Sequence, residues 1–295
     1  MRATASLEAG QPVEAFEDLR LGLRLSDSVH SEPILIDHLV RIATLAIDLQ
    51  TVREGLLRHA WGDAQLTELE GQLAKVDLLA EYKHAMRGER ACVAEGVDYL
   101  RRQGFRSDPM SAFGSEDDSF AFRLVPGGMF YQNMLTISRF FEDFTLVAVD
   151  ERAHRVSPDI SAKGQRELAE MRSGPYTFMA KLLLPALGNA ARKSAWMQTF
   201  VDATCVACAL ERYRLANGKL PASLDALAPR FTAAVPSDVI DGRPLRYRLA
   251  PEGGYLLYSI GWNQTDDGGV LAWTKDKKAS VDLERGDWVW QMAAR

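Results

Sequence analysis

Apolar residues recur at helical spacing through the first hundred residues of the chain. Pro12 suits the first position of a helix, Gly62 and Asp63 interrupt the pattern, and the breaks between apolar runs are short. Short connections favour antiparallel neighbours, so this part is predicted to form a helical bundle or a repeat-like array. The predicted helices cover residues 3–9, 12–28, 33–59, 63–76 and 78–103.

The middle of the chain changes in composition. Residues 104–128 contain several Pro and Gly residues and the acidic run Glu116, Asp117 and Asp118, which together predict a loop. The helices predicted after this loop cover residues 129–149 and 161–171.

The last third of the chain switches from helical to alternating periodicity. A long helix is predicted over residues 185–216, because Asn217 and Gly218 supply a left-handed stop. After Pro236, apolar and polar residues alternate, which is typical of half-buried strands. The strands are predicted at residues 245–249, 255–260, 270–273 and 288–291. We expect residues 187–216 to form one continuous helix, packed on an antiparallel sheet that contains the first two strands.

These patterns together predict a mainly α fold with a small α+β part. An N-terminal helical bundle or repeat-like array is expected over residues 1–180. A module in which one long helix packs on a small antiparallel sheet is expected over residues 181–295. A chain of 295 residues accommodates one large domain or two ordinary ones.

Composition and charge narrow the classes of partner. The net charge is −5 and no block of Lys and Arg stands out, so nucleic acid is not expected as a partner. Apolar runs such as residues 182–184 are far too short to span a bilayer, so no membrane span is expected in this chain. No signal peptide is visible, and the first helix is predicted almost at Met1. We therefore expect that an anchor or leader segment upstream of Met1 has been lost.

Cys205 and Cys208 form a Cys-x-x-Cys motif, a spacing that suits thiol exchange or metal binding. The motif lies in the middle of a predicted helix, on the same stripe as Val201 and Leu215, and no second cysteine pair completes four zinc ligands. We therefore interpret the two residues as buried, reduced and metal-free core thiols. Three cysteines in all are too few for a disulfide framework.

The remaining polar residues identify no enzyme. The five histidines lack metal-binding spacing, so surface or capping roles are predicted for each of them. A charged cluster on the helix predicted at residues 78–103 is interpreted as exposed ion pairs, and the alternative is a binding or catalytic patch. Four C-terminal tryptophans are interpreted as core and sheet packing. The sequence has no phosphate-binding loop, Gly-x-Ser-x-Gly motif or kinase signature. The charged cluster comprises Glu81, His84, Arg87, Glu89 and Arg90, and the tryptophans are Trp262, Trp273, Trp288 and Trp290.

Several short motifs follow one another in residues 182–295. A Leu-Leu-Leu-Pro-Ala-Leu stretch leads into the long helix, which ends in Asn217-Gly218 with Pro221 beyond, and a Tyr-Ser-x-Gly strand precedes a loop rich in Asp and Gly. This order of motifs resembles the C-terminal half of type II secretion pseudopilins and related pilin-like proteins. The whole chain resembles uncharacterised bacterial helical proteins that carry such a module. It departs from the pattern in lacking an apolar N-terminal stalk and in the Trp-Asn-Gln sequence that starts at Trp262.

The resemblance implies a function and a metal site. It implies a non-enzymatic, extracytoplasmic protein, periplasmic or in the cell envelope, with a structural or partner-binding role. In pseudopilins the matching loop holds calcium, a hard cation that prefers carboxylate, amide and carbonyl oxygens. The same residue types are also usual in any exposed hairpin loop. The implied calcium ligands are Asn263, Asp266, Asp267 and Asp287.

Two other functions stay open at this point. Residues 5–28 resemble one tetratricopeptide-type helix pair, which would make the chain a helical-repeat adaptor that binds a peptide or protein. No second copy follows at the expected period. The third alternative is an enzyme of unrecognised type.

Overall fold

The N-terminal helices follow one another with short connections, as the apolar spacing predicts. A computed structural model describes residues 2–103, 126–250, 254–274 and 280–292. Asp77 caps the longest of these helices, because its Oδ1 accepts hydrogen bonds from the backbone N–H of Leu79 and Ala80 at 3.1 and 3.0 Å. The helices are α1 (Arg2–Glu8), α2 (Pro12–Asp27), α3 (Leu35–Leu57), α4 (Asp63–Leu73) and α5 (Leu78–Gln103).

The middle of the chain differs from the prediction. The acidic run Glu116 to Asp118 and most of the predicted loop, residues 104–125, lie outside the described residues. The helix predicted at residues 129–149 is wrong at its end: α6 (Gly127–Phe140) passes into a π-helical turn (Phe141–Thr145). An unpredicted hairpin of β1 (Val149–Asp150) and β2 (Arg155–Val156) follows, and then α7 (Pro158–Glu170). Ser157 caps α7 by accepting the Ile160 N–H at 3.4 Å.

The long C-terminal helix is continuous, as predicted, but it starts later. After α8 (Phe178–Leu183), residues Leu184–Leu187 form a 3-10 helix, and α9 begins at Ala190 instead of near residue 185. Helix α9 (Ala190–Asn217) then runs unbroken through Cys205 and ends at Gly218, whose φ of 72° is left-handed. Glycine adopts this conformation without the steric penalty that a Cβ would add.

Both C-terminal strands that we expected to pair lie in one antiparallel sheet. In that sheet β4 (Tyr255–Ser259) lies between β3 (Arg246–Leu249) and β7 (Trp288–Met292). All five residues of β4 are buried, because one face of the sheet packs on α9 and the other is covered by the neighbouring hairpin. That hairpin pairs β5 (Leu271–Trp273), which was predicted, with β6 (Val281–Gly286), which was not.

Two hydrophobic cores follow one another along α9, one from Met197 to Leu210 and the other at its first residues, from Ala190 to Ala195. One contains side chains of α2, α3 and α4 together with Cys208, Leu257 and Trp290. The other joins α5, α6 and α8 to Ile260 and Trp288. Each core therefore contains residues from both sides of position 180. The domain boundary near residue 180 stays a prediction.

The two thiols of the long helix are buried, as predicted. Cys205 is 8% and Cys208 0% exposed, and both are free cysteines. Burial raises the pKa of both thiols, so little reactive thiolate forms at neutral pH. Leu215 was wrongly placed on their stripe, because it is 46% exposed near the end of the helix. Trp288 and Trp290 are buried as predicted, whereas Trp273 is exposed.

Gly88 is a test of the packing between α5 and the start of α3. A Cβ at this position would lie 1.8 Å from the Pro33 carbonyl oxygen. We expect Gly88→Ala to lower the free energy of unfolding by about 1–3 kcal/mol or more, the cost of overpacking a rigid contact. The matched control is Gly71→Ala in α4, where a Cβ meets nothing within 4 Å. That change should stabilise the protein by up to about 1 kcal/mol through helix propensity. Equal effects in chemical denaturation would show that the Gly88 contact is not rigid.

Candidate functional site

An apolar groove opens between the start of α3, the middle of α5, the end of α6 and the 3-10 helix before α9. It encloses about 380 Å³, which is within the usual range of about 300–1,000 Å³ for ligand pockets. Almost all of its lining is aliphatic or aromatic. The lining side chains are Leu35, Ile36, Leu39, Glu89, Val93, Ile137, Phe141, Leu183, Leu184, Ala186 and Leu187.

Among the described residues that line the groove, Glu89 is the one ionisable residue. Its Oε1 accepts the backbone N–H of Leu35 at 2.8 Å, a donor at the start of α3 that Ile34 does not cap with its side chain. The carboxylate therefore holds the start of α3 against α5 and also places negative charge beside apolar walls. A ligand for this groove needs apolar surface, and a positive charge near Glu89 would favour its binding.

One large apolar side chain of the lining is strongly exposed to solvent. Ile36 on α3 lines the groove and is 61% exposed. Single exposed apolar residues are common, but this one lies on a concave apolar surface. The only sequence signal near this site is the Leu-rich stretch at residues 182–187, which predicts the entry to a helix and not the wall of a groove.

Side chains of the charged cluster on α5 bond residues that lie outside α5. Glu89 caps α3, Arg90 bonds Glu142 at 2.7 Å, and Arg87 bonds Glu151 at 3.3 Å. His84 Nε2 lies 3.2 Å from the Ser31 carbonyl oxygen. The prediction of exposed ion pairs is therefore right for Arg87 and Arg90 but incomplete, because the partners lie on other parts of the fold.

A serine, a histidine and a glutamate come together between α3, α5 and α9. His38 Nε2 lies 2.7 Å from Ser194 Oγ, and His38 Nδ1 lies 3.9 Å from Glu81 Oε2. The order of groups is that of a hydrolase triad. The surface or capping role predicted for His38 is wrong, since this residue is only 4% exposed. Sequence spacing could not predict that these residues are neighbours, because they lie on three separate helices.

Burial argues that this cluster is structural. Ser194 has no exposed surface and donates to the Ala190 carbonyl at 2.9 Å, so a substrate has no path to its hydroxyl. Glu81 is held instead by the buried Arg41, whose Nε lies 2.7 Å away. Desolvation, followed by the charge of Arg41, lowers the pKa of His38 to about 4, which keeps the imidazole neutral. The network ties three helices together and has no accessible nucleophile.

A second polar cluster joins the hairpin to α9. His154, at a left-handed φ of 49°, lies between two carboxylates: its Nδ1 is 3.8 Å from Asp77 and its Nε2 is 3.9 Å from Asp202. Gln198 donates to Asp202 Oδ1 at 2.9 Å and also bonds the backbone between α4 and α5. Burial raises the pKa of Asp202 to about 7, and the charges of Asp77 and Asp238 add to that shift. This carboxyl therefore titrates near neutral pH.

The four predicted calcium ligands do lie close together. Asn263 donates to Asp267 at 2.9 Å, and Asp266 accepts the Gly268 N–H at 3.0 Å. Asp287 is 1% exposed and accepts the backbone N–H groups of Asp267, Gly269 and Val270. In the described part of the chain, no group of three or more His, Cys, Asp or Glu residues is arranged to hold a metal ion. The calcium site stays a prediction, and the observed role of Asp287 is to organise the loop backbone.

Among protein-family models, curated proteins and solved structures, none matches this chain. The pseudopilin resemblance of residues 182–295 thus stays a prediction. No helix in the described ranges is long and apolar enough to cross a membrane. The functional evidence is the geometry of the molecule itself.

The titration of Asp202 should appear in the pH dependence of stability. The folded state binds a proton that the unfolded chain has lost between about pH 4 and pH 7. This group therefore makes the protein less stable as pH rises through that range. We expect Asp202→Asn to equal the wild type near pH 4 and to exceed its free energy of unfolding by on the order of 2 kcal/mol at pH 7 or above.

The pH dependence of the wild type alone does not isolate Asp202, because His38 changes the free energy of unfolding in the opposite direction over much of the same pH range. Its lowered pKa makes the folded state bind fewer protons than the unfolded chain between about pH 4 and pH 6.5, so its contribution rises with pH. Denaturant unfolding of wild type, Asp202→Asn and the exposed control Asp225→Asn at several pH values isolates the difference. If the free energies of unfolding of the wild type and of Asp202→Asn change with pH in parallel, the raised pKa of Asp202 is contradicted.

Asp287 allows the loop and the calcium prediction to be tested separately. Asp287→Ala removes the acceptor of three backbone N–H groups, so we expect a loss of about 1–3 kcal/mol in chelator. Asp267→Ala, an exposed neighbour, should cost much less. If calcium binds, millimolar calcium must raise the wild-type melting midpoint, and Asp266→Ala must abolish that rise. Coincident wild-type melts with calcium and with chelator would remove the calcium site without affecting the structural role of Asp287.

Proposed function

We propose that this chain is a non-enzymatic protein-binding protein that holds an apolar helical segment of a partner in the groove between α3, α5 and the 3-10 helix. The observation that carries the proposal is the groove itself, about 380 Å³ with one carboxylate in an otherwise apolar lining. An amphipathic helix binds such a surface through side chains at i, i+3 or i+4, and i+7. A Lys or Arg on that helix would lie beside Glu89.

The extracytoplasmic placement belongs to the same proposal. Its support is the resemblance of residues 182–295 to pseudopilin C-terminal halves, together with the order of long helix, short 3-10 helix (Leu224–Leu227) and antiparallel sheet. Helix α9 is covered by helices on one side and by the sheet on the other, so its surface is not free for packing into a fibre. This burial favours partner binding over filament assembly.

The adaptor alternative differs in how the groove is built. A helical-repeat adaptor binds on the concave face of stacked helix pairs. Here the groove combines α3 and α5 with the segment just before α9, which is outside any repeat of the first helices. The enzyme alternative has little support among the described residues, because the triad-like cluster is buried and the accessible groove has only Glu89 as an ionisable group.

A substitution at the mouth of the groove tests the proposal. Ala186 is exposed there, so Ala186→Trp fills the groove without disturbing the core. The probes are Nile red and a synthetic Leu/Lys amphipathic helix, followed by fluorescence titration and by anisotropy. We expect saturable binding to the wild type and at least about tenfold weaker binding to Ala186→Trp, since the filled volume excludes apolar side chains.

The matched control is Ala226→Trp, an exposed alanine in the 3-10 helix at Leu224–Leu227. It adds the same indole outside the groove lining and should leave the affinity unchanged. Glu89→Gln should weaken the Lys-containing helix more than it weakens Nile red, because only the helix carries positive charge. Absence of saturable binding to the wild type, or equal binding by the two Trp variants, would contradict the proposal.

A further inference from the structure

A second, smaller cavity adjoins the groove. It encloses about 40 Å³ beside the π-helical turn, and most of its lining is apolar. Leu184 and Leu187 of the 3-10 helix line both the groove and this cavity, so the two spaces share one wall. Leu187 is only half-buried. The cavity therefore lies directly behind a wall that a ligand in the groove would contact.

Aromatic rings form much of the cavity. Phe140 and Phe144, whose ring centroids are 5.1 Å apart, line it together with Tyr82. The Tyr82 hydroxyl donates to the Thr145 carbonyl oxygen at 3.2 Å, so this polar group is already bonded. An apolar cavity that takes up benzene has about 150 Å³, so this space admits the end of an unbranched side chain but not a ring. Methionine fits these features, because it is unbranched and its sulfur makes favourable contacts with aromatic rings.

Helix α5 sets the distance between the cavity and the carboxylate of the groove. Tyr82 lines the cavity and Glu89 lines the groove, seven positions further along the same unbroken helix. Residues with this separation lie on the same side of a helix, about 10.5 Å apart along its axis. A second helix that lies along α5 has the same rise per residue. The cavity and Glu89 therefore match two side chains that are seven positions apart on that second helix.

We propose that the groove selects a partner helix that carries a basic residue and a methionine seven positions apart, with the basic residue beside Glu89 and the methionine in the cavity behind Leu187. This inference rests on the proposed function of the groove and adds a sequence requirement for the partner. The shared wall is suited to admit a side chain, because the Gln165 side chain ties its end to α7 by a long, exposed hydrogen bond of 3.3 Å to the Gly188 carbonyl oxygen. Single π-helical turns such as the one beside the cavity are frequent at functional sites.

Peptides of identical composition test the spacing. Each is a helix with Gln on its polar face, Ala and Val on its apolar face, and one Lys and one Met separated by four, seven or eleven residues, in either order. Fluorescence anisotropy measures their affinity for the wild type. We expect the seven-residue isomer, in one of the two orders, to bind at least about tenfold more tightly than the others, because only this isomer buries Met while Lys lies beside Glu89.

The outcomes separate this inference from the proposed function. Equal affinities of all isomers would overturn the spacing requirement and leave the groove as a binding site. Absence of saturable binding of every peptide and of Nile red would overturn the groove itself, and the spacing requirement with it.

A variant that fills the cavity gives an independent test. Ser161 on α7 lines the cavity and not the groove, so Ser161→Leu should abolish the preference for the seven-residue spacing and leave the affinity for Nile red unchanged. The matched control is Ala162→Leu, at an exposed neighbour outside both linings, which should keep the preference. A preference that persists in Ser161→Leu, or that is lost equally in both variants, would overturn the inference. If melting curves show that Ser161→Leu does not fold, the peptide series with the wild type decides the question.

Discussion

The burial of α9 on nearly all sides is the constraint on which the rest of the structure depends. Helices α3, α4 and α5 pack on one part of its surface, and strands β4 and β7 pack on another. Such close approach from several directions requires small side chains, and the buried part of α9 is rich in Ala, Ser, Thr and Cys. Bulky residues at those positions would separate the sheet from the helices. The Cys-x-x-Cys motif is best understood in this way, as two small apolar groups within a crowded helix.

The same constraint explains the buried polar network of His38, Arg41, Glu81 and Ser194. Polar groups that are enclosed with α9 must find partners, because an unpaired buried charge is very costly. Arg41 and Glu81 satisfy each other at 2.7 Å, and Ser194 bonds His38. Shifted pKa values often mark active sites. Here His38 and Ser194 are 4% and 0% exposed, and Glu89 is the one ionisable group among the described residues that line the groove.

The sequence predicted those elements whose signals are local. Helix α5 begins and ends where the pattern predicted, at residues 78 and 103, because Asp77 caps it and the apolar period is regular. The end of α6 was missed because apolar residues continue through the π-helical turn into the hairpin, and periodicity alone does not distinguish these structures. Strand β6 was missed because its alternation is weak, with no buried residue among its six.

The candidate groove was beyond sequence prediction for a different reason. Its walls come from distant segments, and each wall residue, such as Leu39 or Leu183, looks like an ordinary core position when it is considered alone. The buried histidine shows the same limit: only the fold places His38 next to Ser194. A local pattern indicates which side of an element is apolar. It does not indicate whether the facing element packs against a given residue or leaves a cavity beside it.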